Sequence, residues 1–212
     1  MTNILDIHTH TLPLRLSEAI ISFQPFNFVP SSCDYCSVGI HPWYLTVDNS
    51  RSLCENLEIL ACHPQVVAIG EAGVDKLALA PLPLQWQVFA WQANLSARLH
   101  LPFVIHAVHS GSEIILFKKQ LNPKNPWIIH GFRGKKEQAL QYLRHGFYLS
   151  FGERYNEEAF RAVPFHNLFL ETDESKVKIE CLYQRAAKLR DISVKELIGI
   201  VQQNINNVFF SH

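Results

Sequence analysis

Histidines and carboxylates recur along this chain at spacings that suit a divalent metal centre. His8 and His10 stand one residue apart at the end of an apolar run, and the two-residue period of a strand puts both imidazoles on one face. Two nitrogens so placed have the geometry of two ligands on one ion. Imidazole suits zinc, manganese and other first-row ions, and added carboxylates shift the preference toward harder cations. Glu71 follows another apolar run in Ile69-Gly70-Glu71-Ala72-Gly73-Val74-Asp75, where the glycines let the backbone turn tightly. His106 closes Pro102-Phe103-Val104-Ile105, and His130 closes Trp127-Ile128-Ile129. Leu168-Phe169-Leu170 runs into Glu171-Thr172-Asp173, in which the two carboxylates share a face. Asp173 lies further along and is assigned to the metal site, while Glu171 either orients a ligating histidine or stays in the wall. His8, His10, Glu71, His106, His130 and Asp173 thus offer four imidazoles and two carboxylates. That set suffices for two divalent ions (Mg, Mn or Zn) sharing Glu71, a pair able to activate water and neutralise charge on a scissile group. His41 also ends a strand-like run. With Arg133, Lys76 and Arg154, which follow strand ends where a phosphate would lie, it is a candidate substrate contact.

Delivering these groups to one place requires several strands ending at one mouth. Apolar, strand-like runs cover residues 3–8, 35–40, 66–70, 102–106, 127–130, 147–151 and 167–171, with a weaker eighth at 26–29 between Pro25 and Pro30. Helix-like stretches occupy 50–62, 84–99, 111–121, 135–144, 157–163, 178–190 and 193–206, the last opened by a Ser193/Glu196 capping box. Strand and helix alternate, as in a parallel sheet wrapped by helices. Reactive groups at the ends of many different strands select a TIM (β/α) barrel over an open sheet. Residues 12–37 are too few for a regular βα unit and contain Pro13, Pro25 and Pro30. The barrel is therefore expected to be shortened or distorted around its second βα unit, with seven full strands and an irregular segment. No linker or repeat divides the chain, so residues 1–212 are read as a single domain.

Composition narrows the function classes. Apolar residues at 48% and charged residues at 18% exclude a disordered chain. Nineteen Lys plus Arg balance nineteen Asp plus Glu, so no global field draws the protein to nucleic acid or anionic lipid, and such a contact must come from a local patch. The first residues, from Met1 to Asp6, lack the pattern of a secretory leader. No apolar run approaches the ~20 residues of a membrane span, and the cytoplasm is the expected location with no membrane partner. Five cysteines, an odd count, argue for reduced thiols, and Cys33-x-x-Cys36 is read as structural or incidental.

Seven short motifs occur in an order that resembles the TatD family of metal-dependent hydrolases: Asp6-Ile7-His8-Thr9-His10, Gly39-Ile40-His41-Pro42-Trp43, Ile69 to Asp75, Phe103-Val104-Ile105-His106, His130-Gly131-Phe132-Arg133-Gly134, Tyr148-Leu149-Ser150-Phe151-Gly152 and Leu170-Glu171-Thr172-Asp173. The resemblance extends to Asn204-x-x-Asn207-x-x-Phe210. It implies an amidohydrolase-type barrel, a phosphodiesterase or deoxyribonuclease activity on nucleic-acid ends through a metal-activated hydroxide, and DNA or another phosphodiester as substrate, short or single-stranded rather than long duplex. It further implies one metal on His8, His10, Glu71 and Asp173 and a second on Glu71, His106 and His130, with Asp173 and Glu71 catalytic. Several substrate-facing positions depart from the family pattern: Trp43 replaces the second histidine of its GxHPH motif, and Gly131 and Arg133 replace the Cys and Ser of HCFSG. An alternative is hydrolysis of a small amide, ester or lactone, favoured by a deep apolar pocket lined by Trp43, Phe132 and Phe151. A third is an inactive barrel with a binding role.

Overall fold

The computed structural model describes residues 3–211; Met1 and Thr2, part of the stretch read for a leader, lie outside them. Eight strands pair in chain order in one parallel sheet: β1 (Asp6–Thr9), β2 (Ala19–Phe23), β3 (Tyr35–Val38), β4 (Val66–Asp75), β5 (Phe103–Val108), β6 (Trp127–Ile129), β7 (Phe147–Phe151) and β8 (Leu168–Leu170). The sheet closes at its upper edge, where His10 N–H donates to Asp173 O (3.2 Å) and Asp173 N–H donates to His8 O (2.9 Å). The result is a TIM barrel. Among the described residues seven α-helices surround it: α1 (Ser50–Leu60), α2 (Leu82–Arg98), α3 (Gly111–Leu121), α4 (Lys136–Arg144), α5 (Glu157–Ala162), α6 (Ile179–Arg190) and α7 (Val194–Phe209).

The second βα unit is compressed as expected, but not in the form expected. Among the described residues no α-helix lies between β1 and β3; short 3-10 turns at Leu16–Glu18 and Pro30–Ser32 stand there instead. Two expectations need correction. The eighth strand is Ala19–Phe23 and not residues 26–29, and it is regular, pairing residue for residue with β3 from Ile20↔Tyr35 to Phe23↔Val38. Its Ala-Ile-Ile-Ser-Phe sequence is buried and β-branched, which suits a covered parallel strand. Residues 26–29 are instead bound into a turn, where the Asn27 side chain accepts from Gln24 N–H (2.8 Å) and Pro30 begins the next 3-10 turn. The strand β4 also runs past residue 70 to Asp75, buried throughout. Gly70 and Gly73 allow this, since a Cβ on either would collide with Val104 or His106 of β5.

Apolar packing differs around the ring. Outside β5–β7, Phe89, Phe103, Phe117, Trp127 and Phe147 form an aromatic cluster with α2 and α3. Around β2, where no α-helix joins it to β1 or β3, single aromatic contacts substitute: Phe23 with Phe28 (5.6 Å), Phe28 with His63 (5.3 Å) and, from β3, Tyr35 with Phe210 (5.1 Å).

Candidate metal centre

Every strand but β2 and β7 delivers an ionisable group to the mouth from its C-terminal half or just past its end, and these groups converge on Glu71. Its two carboxylate oxygens face different histidines. Oε2 lies 3.4 Å from His8 Nε2 and 3.3 Å from His10 Nε2. Oε1 lies 3.2 Å from His41 Nε2, 2.9 Å from His106 Nδ1 and 2.7 Å from His130 Nε2. Asp173 Oδ1 stands on the Oε2 side, 3.6 Å from His10 Nε2 and 3.9 Å from His8 Nε2. The six residues assigned to metal from the sequence are thus in one cluster.

The donor chemistry fits divalent metal. Three triads (His8, His130, Asp173; His8, His10, Glu71; His41, Glu71, His106) hold their candidate ligand atoms within 4.8 Å of one another. His8 is buried, and neither of its ring nitrogens has a hydrogen-bond partner. A buried imidazole without a partner is costly, and an ion between Glu71 and Asp173 would engage it.

The electrostatics follow from burial among opposite charges. Desolvation alone would raise Glu71, but His130, His10 and His106 outweigh it and hold the carboxyl well below its ordinary value. Desolvation would lower His130, but Glu71 and Glu171 overcome it and hold the imidazole well above. Burial keeps His41 lowered, hence neutral. Its Nδ1 accepts from Trp43 N–H (3.1 Å), so the tautomer consistent with this bond carries its proton on Nε2 and donates to Glu71. The His41 backbone N–H is in turn held by Gln24 Oε1 (3.0 Å), and that of Ile40 by Gln92 Oε1 (2.7 Å).

Partners behind the cluster orient its histidines, as metal ligands commonly require. Glu171 Oε1 lies 3.3 Å from His130 Nδ1 and accepts from Gly131 N–H (2.6 Å); of the two readings offered for Glu171, the orienting one matches this geometry. Asp75 had no role assigned from sequence. Its Oδ2 lies 3.2 Å from His106 Nε2 and accepts the indole N–H of Trp43 (2.7 Å). The signal was available, because residues 71, 73 and 75 share a face of a strand, but it required β4 to continue past Gly70.

The cluster lies in a cavity of about 1370 Å3. Arg133 and Arg154 are on its wall, along with Trp43, Tyr44 and Phe132. Lys76 is not among the lining residues and is paired with Glu113. Phe151 is fully buried and absent from the wall, so of the three rings named for an apolar pocket that would favour a small ester or amide, the wall carries Trp43 and Phe132. No helix among the described residues is long and apolar enough to cross a membrane.

The sequence profile of the family described as TatD related DNase matches residues 31–210. The chain belongs to this family. A metal-dependent hydrolase of Bacillus subtilis, YabD, is 24% identical over 92% of this chain and 82% of its own length. The 3'-5' ssDNA/RNA exonuclease TatD of Erwinia tasmaniensis is 30% identical over 74% of this chain and 65% of its own length. The crystal structure of the TatD homologue YjjV from Escherichia coli superposes with a TM-score of 0.81 over 98% of both chains at 19% identity, a likeness of fold. The TatD profile begins at residue 31, beyond His8 and His10; the placement of that pair therefore stands on the barrel geometry.

Proposed function

We propose that the protein is a divalent-metal-dependent phosphodiesterase that degrades DNA or related nucleic acid from its ends, taking short or single-stranded substrates in preference to long duplex. The observation that carries this reading is the division of Glu71, with one oxygen facing His8 and His10 and the other facing His106 and His130. In this reading His8, His10, Glu71 and Asp173 would hold one ion, and Glu71, His106 and His130 would hold a second. Two bound divalent ions of the Mg, Mn or Zn type would supply an activated water and neutralise charge on the phosphodiester. Asp173, beside His10 at the mouth, would accept a proton from the attacking water. His41 steadies Glu71 through its Nε2–H, and Arg133 and Arg154 give charge-assisted hydrogen bonds to non-bridging phosphate oxygens. Lys76 keeps a lesser part, as a charge that must first leave Glu113.

The Erwinia relative's named activity on ssDNA and RNA supports the choice of substrate. Residues 1–212 would act as one catalytic domain, and five free thiols suit a reducing compartment, for which the cytoplasm is proposed. Metal analysis of the purified protein, followed by assays on single-stranded oligonucleotides and a generic phosphodiester with added Mg, Mn or Zn, tests the reading. Metal-stimulated cleavage of both substrates is expected. A protein that binds no divalent metal, or that turns over neutral esters and leaves oligonucleotides intact, would overturn it.

A further inference from the structure

The rim of the cavity carries a feature that metal chemistry does not use. Trp43 is 60% exposed and Tyr44 50% exposed, both on the cavity wall beside His41, and Phe26, 57% exposed, packs edge-on against Tyr44 at 5.5 Å. Exposed aromatic area is unfavourable in water, and here three such rings gather beside the reacting centre. Trp43 is also held in place. Its indole N–H donates to Asp75, and its ring stands nearly perpendicular to those of His41 (85°, 5.0 Å between centroids) and His106 (75°, 6.0 Å). Among the described residues no aromatic ring is stacked parallel on it. A rigid, amphipathic ring with a free face loses little entropy on binding, and it stands one ring's distance from a histidine of the candidate metal centre.

We propose that Trp43, flanked by Tyr44 and Phe26, is a stacking platform for an unpaired nucleobase next to the scissile phosphodiester. The proposal rests on the phosphodiesterase reading and adds to it the origin of a single-strand preference. A base can lie on Trp43 only when it has left its duplex stack, because each face of a stacked base is already covered. Stacking on a side chain is tolerant of sequence, since every base has a π-face. The opposite wall, with Arg133 and Arg154, would take the phosphate while Trp43 takes the base.

The test compares a short single-stranded oligonucleotide with the same oligonucleotide carrying an abasic terminal nucleotide. In metal-free protein, where cleavage does not interfere, the base-bearing oligonucleotide should quench tryptophan fluorescence and bind roughly 5- to 150-fold more tightly than the abasic one. Trp43→Ala should bring that ratio close to one, and Trp43→Phe, which keeps a ring, should retain much of it. Tyr44→Ala, which leaves the Trp43 to Asp75 hydrogen bond in place, should lower the ratio in part. In the metal-loaded enzyme Trp43→Ala should raise KM for the base-bearing oligonucleotide more than for the abasic one. Equal binding of the two oligonucleotides by the unaltered protein, with metal-dependent cleavage intact, overturns the platform and leaves the phosphodiesterase reading standing. Absence of both binding and cleavage of either oligonucleotide overturns the two together.

Discussion

The barrel has two unequal parts, and both reach the same carboxylate. From β4 to β8 each strand is followed by a helix, and large aromatic side chains fill the space between sheet and helices. From β1 to β3 the connections shrink to 3-10 turns and the outer cover to a few loop rings. Nevertheless His8, His10 and His41 come from the reduced part, and His106, His130 and Asp173 from the regular one. A strand end is positioned by its hydrogen-bonded neighbours in the sheet and not by what lies outside it. The outer layer only has to keep water from the apolar face, a task that has no strict geometry. Connections can therefore shorten while the mouth keeps its chemistry.

Glu71 is where the two parts meet, and altering it should give the largest effect. Glu71→Gln keeps the shape, removes the charge shared by five imidazoles, and replaces one accepting oxygen with an N–H donor. Bound metal should drop, at both sites if the proposed pair is correct, and hydrolysis should fall by more than the ~10²–10⁴-fold that a lost general base costs. Full retention of metal in the variant, measured by elemental analysis, would mean that the two parts bind independently of this carboxylate.

The regular part was more legible in the sequence than the reduced one, for a physical reason. Strands with covered faces and helices of several turns produce periodic signals, and the seven helices and the strands from β5 onward stand close to where the pattern puts them, while β4 starts as expected and runs on to Asp75. Between residues 12 and 37 prolines and short turns leave no period to read, so β2 was assigned to residues 26–29 when the buried run was 19–23. Histidines at strand ends were legible because each one interrupts an apolar run. Asp75, Gln24 and Gln92 were not, since a polar residue that holds a ligand or a loop in place looks like any other polar residue until the fold brings its partner near.

The next effect should come from Asp173, whose backbone closes the ring between β8 and β1 and whose carboxylate faces His10 and His8. Its φ is +54°, in the left-handed region that asparagine tolerates better than most residues. Asp173→Asn should therefore keep the fold, with a thermal midpoint near that of the unaltered protein, and most of the metal. It cannot take a proton from water, and turnover should drop ~10²–10⁴-fold. Near-normal turnover would remove this carboxylate from the mechanism and leave the residue its backbone part in the closure.

Asp6 tests the seam itself. Its Oδ1 accepts from His8 N–H (3.2 Å) and Thr172 N–H (3.1 Å), and its Oδ2 accepts from the Thr172 hydroxyl (2.6 Å). Burial raises its carboxyl from 3.8 to about 7, against the lowering effect of those bonds. Folded protein thus retains a proton there that the unfolded chain releases at lower pH, so the group's contribution to stability is full below about 4 and is lost as pH rises to about 7. Asp6→Asn keeps both N–H acceptors at Oδ1 and can donate to the Thr172 oxygen without any charge to bury. In urea titrations of metal-free protein the variant should gain on the unaltered protein between pH 4 and 7, by an amount on the order of a few kcal/mol, and run parallel to it above. Parallel curves across the whole range would show that Asp6 is ionised at no cost and that the seam is better solvated than its burial indicates.

The smallest effect should come from the substrate contact proposed for the regular part. Arg133 is exposed on the cavity wall, with no ion pair found among the described residues, so Arg133→Ala should leave folding and metal content unchanged. What it removes is a charged fork suited to phosphate oxygens. An exposed charge-assisted contact contributes modestly, because water competes for both partners and salt screens the pair. Turnover of oligonucleotides at low substrate should fall several-fold, more at low ionic strength than at high, while a neutral ester should be unaffected. Arg154→Ala, also on the wall, supplies the comparison within the same part. Should the two variants lose equally on neutral and anionic substrates, neither arginine reads phosphate, and the anion must be held entirely by the centre that the two parts of the barrel build around Glu71.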